Sequence, residues 1–125
     1  MSLSSLSVIE LSKKLKKGEI KSEELVKSYI EQINKKDKQI EAWEFFEPDL
    51  AISQAKKLDV DRQAGKVQGD LHGIPVGIKD IFDTEDMPTL DGSEAHKKNP
   101  SLNDCTVVSK LKQAGAIIMG KTVTA

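Results

Sequence analysis

One lysine in this sequence stands where its side chain could act as a general base. Lys79 ends an apolar, glycine-containing segment and is followed directly by Asp80. If Val76 and Ile78 face a core, strand alternation turns Lys79 toward the opposite face and a cleft. A lysine acts as a base only when neutral, and lowering a lysine pKa by about three units takes ~4 kcal/mol of desolvation and local charge effects. An apolar strand offers such a setting, although most lysines at strand ends are simply solvated.

A second lysine belongs to a segment that matches a phosphate-binding motif letter for letter. Residues 115–122 read GAIIMGKT, which fits the Walker A pattern. That motif needs a strand before it, a loop around the phosphates and a helix that begins at the lysine. Here a predicted helix precedes Gly115, the middle residues form an apolar strand, and β-branched Val123 and Thr124 are weak helix formers. We therefore predict an accidental match and keep a P-loop nucleotide-binding fragment as the unfavoured alternative.

The remaining reactive side chains have simpler explanations in packing. Cys105, near a predicted helix N-terminus, could be an activated thiol, but buried packing is the stronger expectation. His72 is expected to be a hydrogen-bonded structural residue beside Gly73, and His96 falls in a polar loop. Two histidines without ligand spacing predict no metal site.

Composition narrows the class of protein. The 125 residues are 38% hydrophobic, which is enough for one packed core. The 19 basic residues are balanced by 20 acidic residues, so no positive face favours nucleic acid as a partner. No apolar run reaches the ~18 residues that span a bilayer, and the polar N-terminus lacks a signal-peptide pattern. With a single cysteine, these features predict a globular protein of the cytoplasm.

The first half of the sequence predicts helices that would support the strand of Lys79. Ser7 and Glu10 form a capping box, and Gly18 is a natural stop for the helix that they begin. Ser22 is expected to cap a second helix. Together these signals predict a helix pair over about 7–37.

The second half alternates between strands and helices. Such alternation predicts an α/β fold whose sheet is covered on both faces. Because the sequence stops directly after a strand, that sheet is expected to be incomplete, as in part of a larger single domain. The predicted elements are a strand over 42–46, a helix over 48–64, the lysine-bearing strand over 74–80, a polar loop over 83–103, and a helix–strand unit over 104–121 whose helix is capped by Asp104.

Several separated motifs together resemble the amidase signature family, in register over nearly the whole chain. The segment 71–80, LHGIPVGIKD, is similar to the lysine-containing strand of that family. The likeness implies the N-terminal portion of the family's fold, with helices packed around a mixed β-sheet. It continues through the helix pair between Ser7 and Ile33 and through 81–84 (IFDT), 87–89 (MPT), Gly92-Ser93, 104–108 (DCTVV) and 115–122.

The resemblance implies a catalytic role for Lys79 in amide hydrolysis. The family uses a Ser–cis-Ser–Lys triad without metal or cofactor, in which the lysine draws a proton through a bridging serine. The second serine then attacks a small-molecule amide. Both serines are expected beyond Ala125, so the chain alone should be inactive. Asp80 is expected either to orient Lys79 or to bind nearby backbone, and Gly92 and Ser93 either to line the site or to form a plain turn.

Two alternatives compete with a stand-alone amidase. Amidotransferase A subunits, which amidate mischarged transfer RNA, belong to the same family but tend to have Asn where Ile81 stands. Only this alternative would bring a nucleic acid partner. A non-catalytic, helix-rich interaction module would instead leave Lys79 exposed and freely titrating.

Overall fold

Helices and strands alternate along the chain in the computed structural model, which describes residues 3–90 and 103–124. This arrangement confirms the predicted α/β fold, with a sheet that mixes parallel and antiparallel strands. None of the described helices is long and apolar enough to cross a membrane. In chain order the elements are a short 3₁₀ helix at Leu3–Ser5, α1 (Val8–Lys16), α2 (Ser22–Ile40), β1 (Trp43–Phe46), α3 (Pro48–Gln63), β2 (Pro75–Lys79), α4 (Thr106–Gln113) and β3 (Ile117–Thr122).

The three described strands form one sheet in the order β1-β3-β2, so the last of them along the chain lies in the middle. β1 pairs with β3 antiparallel, and β2 pairs with β3 parallel. Along the parallel pair, Val76 lies opposite Ile118 but Gly77 lies opposite Gly120, which leaves Met119 as an extra residue on β3. Such a β-bulge shifts the alternation of the bulged strand by one residue.

The bulge separates two lysines that would otherwise face each other. Beyond it, Ile78 lies opposite Lys121, and Lys79 lies opposite Thr122. Because successive side chains point to opposite faces, Lys121 shares the face of Ile78, while Lys79 and Thr122 share the other face. If the register continued without a bulge, Met119 would pair with Gly77, and Lys79 would lie directly opposite Lys121 with both side chains on one face.

Helices cover both faces of the sheet, and each face has its own buried cluster. The face that we call the α2–α3 face packs Ile117 and Met119 against those two helices. The α4 face packs Ile78 and Ile118 against α4 and the segment before it. Burying each such side chain contributes about 1.5–3 kcal/mol, which fixes the sheet between the helices. A third cluster joins α1 to α2 and to the approach to β2; its buried members are Leu11, Leu15, Leu25 and Ile74.

The start of α1 confirms the predicted cap, whereas the start of α2 does not. Ser7 Oγ accepts a hydrogen bond from the Glu10 N–H, and the Glu10 carboxylate accepts one from the Ser7 N–H. At α2, the Asp59 carboxylate of α3 accepts the Ser22 N–H at 2.7 Å. The Ser22 hydroxyl is buried and donates to the Gly73 carbonyl at 2.7 Å. The prediction that Ser22 caps α2 is therefore wrong. The distant Asp59 carboxylate binds the start of the helix, and the Ser22 hydroxyl binds the segment that leads into β2.

The predicted cap of α4 is also wrong. Cys105 occupies the cap position, and no side chain there bonds the first N–H groups of the helix. The Asp104 carboxylate instead accepts a hydrogen bond from the Glu85 N–H at 2.9 Å and pairs with the Lys112 ammonium at 2.8 Å. Asp104 thus ties the end of α4 to the segment after β2.

Candidate active site

Lys79 is the last residue of β2, and main-chain hydrogen bonds fix it there. Its carbonyl accepts the Phe82 N–H at 3.1 Å, and the N–H of the next residue, Asp80, donates to the Thr122 carbonyl at 2.9 Å. Ile78 is 5% exposed and Lys79 is exposed, so the predicted alternation is confirmed. The strand end therefore holds the backbone of the lysine and directs its side chain to the α2–α3 face of the sheet.

The Lys79 side chain has no partner among residues 3–90 and 103–124. No hydrogen bond or ion pair joins its ammonium group to any of them. The apolar strand was expected to desolvate the Lys79 side chain. Among the described residues it does not, because Lys79 is exposed although its neighbour Ile78 is buried. The interaction-module alternative also predicts an exposed Lys79. Exposure alone therefore does not distinguish that alternative from a catalytic lysine, and the surroundings of Lys79 must be considered.

An open, mainly apolar groove of about 270 Å³ lies on the same face of the sheet as Lys79. Gly77 lines it two residues before the lysine, a distance of about 7 Å along a strand. Glycine suits this position because a Cβ there would lie 3.0 Å from the Trp43 ring. Burial raises the pKa of the Tyr29 hydroxyl, at another wall of the groove. The lining residues are Tyr29, Gln32, Ile33, Trp43, Pro75, Val76, Gly77 and Met119.

Asp80 lies on the face opposite to Lys79 and is 1% exposed. Its Oδ2 accepts a hydrogen bond from the Leu90 N–H at 3.2 Å, and its Oδ1 lies 3.4 Å from the Lys121 ammonium. Oδ1 accepts no hydrogen bond from the described residues. The Asp80 carboxylate thus binds nearby backbone, which is one of its two expected roles, and it lies on the other face of the sheet from the Lys79 side chain. The other two predicted site residues, Gly92 and Ser93, lie outside the described residues.

Lys121 was not among the predicted site residues, yet it is fully buried beside Asp80. Its ammonium group donates to Thr89 Oγ1 at 2.7 Å, and to Thr84 Oγ1 and the Pro88 carbonyl at 3.3 Å each. These bonds use all three N–H groups, which explains why Asp80 Oδ1 faces a charge but receives no hydrogen bond. Burial lowers the pKa of Lys121, and the charge of Asp80 opposes that change. A lysine that closes a fully apolar strand is the sequence signal that could have identified it.

His72 and Cys105 serve packing, as predicted. His72 is 3% exposed; its Nδ1 accepts the Gln68 N–H at 3.0 Å, so its Nε2–H donates to the Leu58 carbonyl at 2.8 Å. Cys105 is half-buried and packs against the cluster of the α4 face. In the ranges 3–90 and 103–124, no group of three or more His, Cys, Asp or Glu side chains could hold a metal ion. His96 lies outside those ranges.

The order of elements around Gly115 contradicts the P-loop alternative. α4 ends at Gln113, before this glycine, and β3 runs over Ile117–Thr122. The Gly-Lys-Thr of the motif therefore closes a strand and opens no helix. Gly115 itself has φ +92° and packs on the backbone of His72, where a Cβ would clash. The Walker A match is accidental, as predicted.

This partial α/β fold is similar to that of solved amidase structures. The peptide amidase from Stenotrophomonas maltophilia matches with a TM-score of 0.88 and 32% identity, over 94% of this chain and 24% of that one. A family model described as Amidase matches residues 24–125. The chain therefore belongs to the amidase family, as the resemblance implied.

Curated relatives carry two kinds of name. The A subunit of glutamyl-tRNA(Gln) amidotransferase from Thermobifida fusca is 39% identical over 117 residues, which are 94% of this chain and 24% of that protein. An amidase from Pseudomonas putida is 36% identical over 123 residues, 98% of this chain and 26% of that protein. The chain thus spans about a quarter of the length of the relatives that it matches.

Proposed function

We propose that this chain is the lysine-bearing part of an enzyme that hydrolyses carboxylic amides to acid and ammonia or amine. The position of Lys79 carries the proposal: it ends a fixed strand of an amidase-family chain, with an open groove on its face and no described partner. A lysine held in this way can accept a proton without first breaking an ion pair. The exposed side chains of Ile81 and Phe82 beside it support further polypeptide covering this strand end in the whole protein.

The proposed mechanism gives Lys79 the role of base in a Ser–cis-Ser–Lys triad. In its neutral form it takes a proton from a bridging serine, which takes one from the nucleophilic serine as that serine attacks the amide carbonyl. The amine then leaves, and water releases the acyl group without a metal or cofactor. We propose that both serines come from polypeptide beyond this chain. The same polypeptide would supply the desolvation that keeps a lysine neutral.

Replacement of Lys79 by alanine in the whole protein tests this assignment. We expect hydrolysis of simple carboxylic amides to fall by about 10²–10⁴-fold, because the base is lost. The melting temperature should change by less than about 2 °C, because the side chain has no described partner. Lys57→Ala removes an exposed lysine of α3 and should keep full activity. Near-normal turnover by Lys79→Ala would contradict the proposal, as would hydrolysis by the purified 125-residue chain.

An amidotransferase A subunit is the second candidate, and the 39% identity to the Thermobifida fusca protein favours it. Such a protein would use the same lysine to release ammonia from glutamine for transfer to a charged transfer RNA. Ile81, where those subunits tend to have Asn, favours the stand-alone amidase. Ammonia release from glutamine that depends on partner proteins and mischarged transfer RNA would establish the second candidate. Hydrolysis of simple amides without them would establish the first.

The exposure of Lys79 also fits a non-catalytic interaction module, but the family match over residues 24–125 argues against that alternative. We further propose a cytoplasmic enzyme whose partner is a small-molecule amide. The single cysteine, Cys105, is a free thiol, which is typical of a reducing compartment.

A further inference from the structure

A network of buried polar groups lies behind Lys79, on the α4 face of the sheet. Lys121 and Asp80 are 0% and 1% exposed, and their charged atoms lie 3.4 Å apart. The segment after β2 binds every N–H group of the Lys121 ammonium, and the Leu90 N–H in the same segment binds Asp80. The three groups on the ammonium are Thr84 Oγ1, the Pro88 carbonyl and Thr89 Oγ1.

The network holds both strands at the level of Lys79. Asp80 directly follows Lys79, and its N–H donates to the Thr122 carbonyl at 2.9 Å. Thr122 is the register partner of Lys79 and directly follows Lys121. A displacement of either member of the pair would therefore move the main chain from which Lys79 extends.

The free-energy cost of burying the Asp80–Lys121 pair means that a gain in stability alone does not explain it. Removing two charges from water often costs more than their attraction returns, and well-packed apolar residues can stabilise a core as well. Asp80 Oδ1 does not gain a hydrogen bond from the described residues. A fixed pair of opposite charges can nevertheless do what apolar residues cannot, which is to hold a strand end in one arrangement through directed hydrogen bonds, and it does so without adding net charge.

Given the catalytic role proposed above for Lys79, we propose that the Asp80–Lys121 pair is a positioning element of the active site. It fixes the end of β2 against β3 and keeps the net charge behind the base near zero. Loss of Lys121 would leave a negative charge that favours the protonated, inactive base, and loss of the Asp80 charge would do the reverse. Other titratable groups near the pair or the groove, all kept in the variants below, are Glu44, Asp83, Cys105 and Tyr29.

The pH dependence of kcat/KM in the whole protein tests the proposal with two variants, each of which replaces a charged side chain by a neutral one of similar shape. Its acid limb reports protonation of the base in the free enzyme. Lys121→Met should move this limb to higher pH and Asp80→Asn to lower pH, each by about one unit, because each leaves one uncompensated charge on the other face of the sheet. Displacements in these opposite directions would support the proposal. An unmoved limb, or displacement of both variants in one direction, would overturn it, because a purely structural role changes only the amount of active enzyme.

Lys27→Met is the matched control for the loss of a paired lysine. Lys27 pairs with Glu23 at 2.6 Å on an exposed helix face, so its loss should leave the acid limb in place. Because the acid limb is predicted to move in a stated direction for each variant, one variant that folds is sufficient to test the proposal. If neither folds, Thr89→Val decides, since it removes the 2.7 Å hydrogen bond and keeps both charges. Its kcat per folded molecule should fall several-fold at constant KM, and an unchanged kcat would overturn the proposal.

Lys79→Ala distinguishes failure of this proposal from failure of the proposed function. Full activity of that variant would refute Lys79 as the base. Loss of activity in Lys79→Ala, together with an unmoved limb in the Asp80 and Lys121 variants, would refute only the positioning role of the pair.

Discussion

Lys79 and Lys121 occupy successive register positions on neighbouring strands, yet their surroundings are opposite. Lys79 is exposed and has no partner in the part of the chain that the structure describes. Lys121 is fully buried, with three hydrogen bonds and an ion pair. The bulge at Met119 makes the difference, because in a continuous register Lys79 and Lys121 would lie opposite each other and share a face. The strand register around a lysine, and not its place at a strand end, therefore decides whether its ammonium group is buried in hydrogen bonds or exposed.

Exchange of each lysine for methionine should give the largest difference in stability between them. We expect Lys121→Met to lower the free energy of unfolding of the whole protein by about 3 kcal/mol, because it leaves the Asp80 charge buried and unpaired. Lys79→Met should change it by less than about 0.5 kcal/mol. Urea denaturation would measure both. The double variant Asp80→Asn/Lys121→Met should recover much of the loss, and equal losses from the two lysines would contradict the contrast.

The bulge that separates the two lysines depends on Gly120. A Cβ at Gly120 would meet the Phe45 carbonyl oxygen, which is backbone and cannot move aside. At Gly77 the nearest atom is the end of the Trp43 ring, at 3.0 Å, which can shift. We therefore expect Gly120→Ala to cost about 2–3 kcal/mol of unfolding free energy and Gly77→Ala about 1 kcal/mol. Urea denaturation of the two variants in parallel would check this, and the reverse order would show that the bulge tolerates a side chain.

A third lysine, Lys112, lies between the two extremes. Its side chain is 29% exposed, and its ammonium group lies 2.8 Å from Asp104 and 3.3 Å from Asp86. Burial raises the pKa of Asp104, but hydrogen bonds from Lys112 and the Glu85 N–H outweigh it, so the pKa is lowered. The unfolded chain therefore binds this proton more tightly than the folded protein. The resulting stabilisation is present above about pH 4 and is lost as the pH falls through the folded value.

Asp104→Asn should accordingly give a smaller loss of stability than Lys121→Met or Gly120→Ala, and one that depends on pH. We expect it to cost about 1 kcal/mol of unfolding free energy at pH 7 and less near pH 2, because protonation of the wild-type carboxyl removes the same ion pair as the pH falls. Denaturation at the two pH values would measure the difference. Asp70→Asn, at an exposed position, should show no effect at either pH. A cost for Asp104→Asn that stays constant with pH would rule out the ion pair as its source.

Features set by neighbours in sequence were predictable. The Ser7 capping box, the alternation of Ile78 and Lys79, and the strand nature of the Gly-Lys-Thr segment depend on residues only a few positions apart. In each case local backbone geometry leaves one arrangement satisfied, and the structure has that arrangement.

Features set by distant partners were not predictable. Ser22 and Asp104 look like caps in sequence, but Asp59 binds the first helix end and Lys112 takes the second carboxylate. The burial of Lys121 depends on a bulge that exists only in register with β2, and on acceptors from the segment after that strand. Nothing local in the sequence specifies either partner.

The central place of β3 in the sheet sets the order in which the chain can fold. In β3, Thr122 pairs with Trp43 of β1 on one side and with Lys79 of β2 on the other. No described strand pairing can therefore form before this last strand is synthesised. During synthesis β1 and β2 leave the ribosome well before their shared partner, while α2 and α3 present apolar faces with no sheet to cover. Such non-local pairing closes large loops and is slow. Until β3 arrives, the strand that ends at Lys79 therefore lacks any described strand partner, and its unpaired backbone is exposed to aggregation.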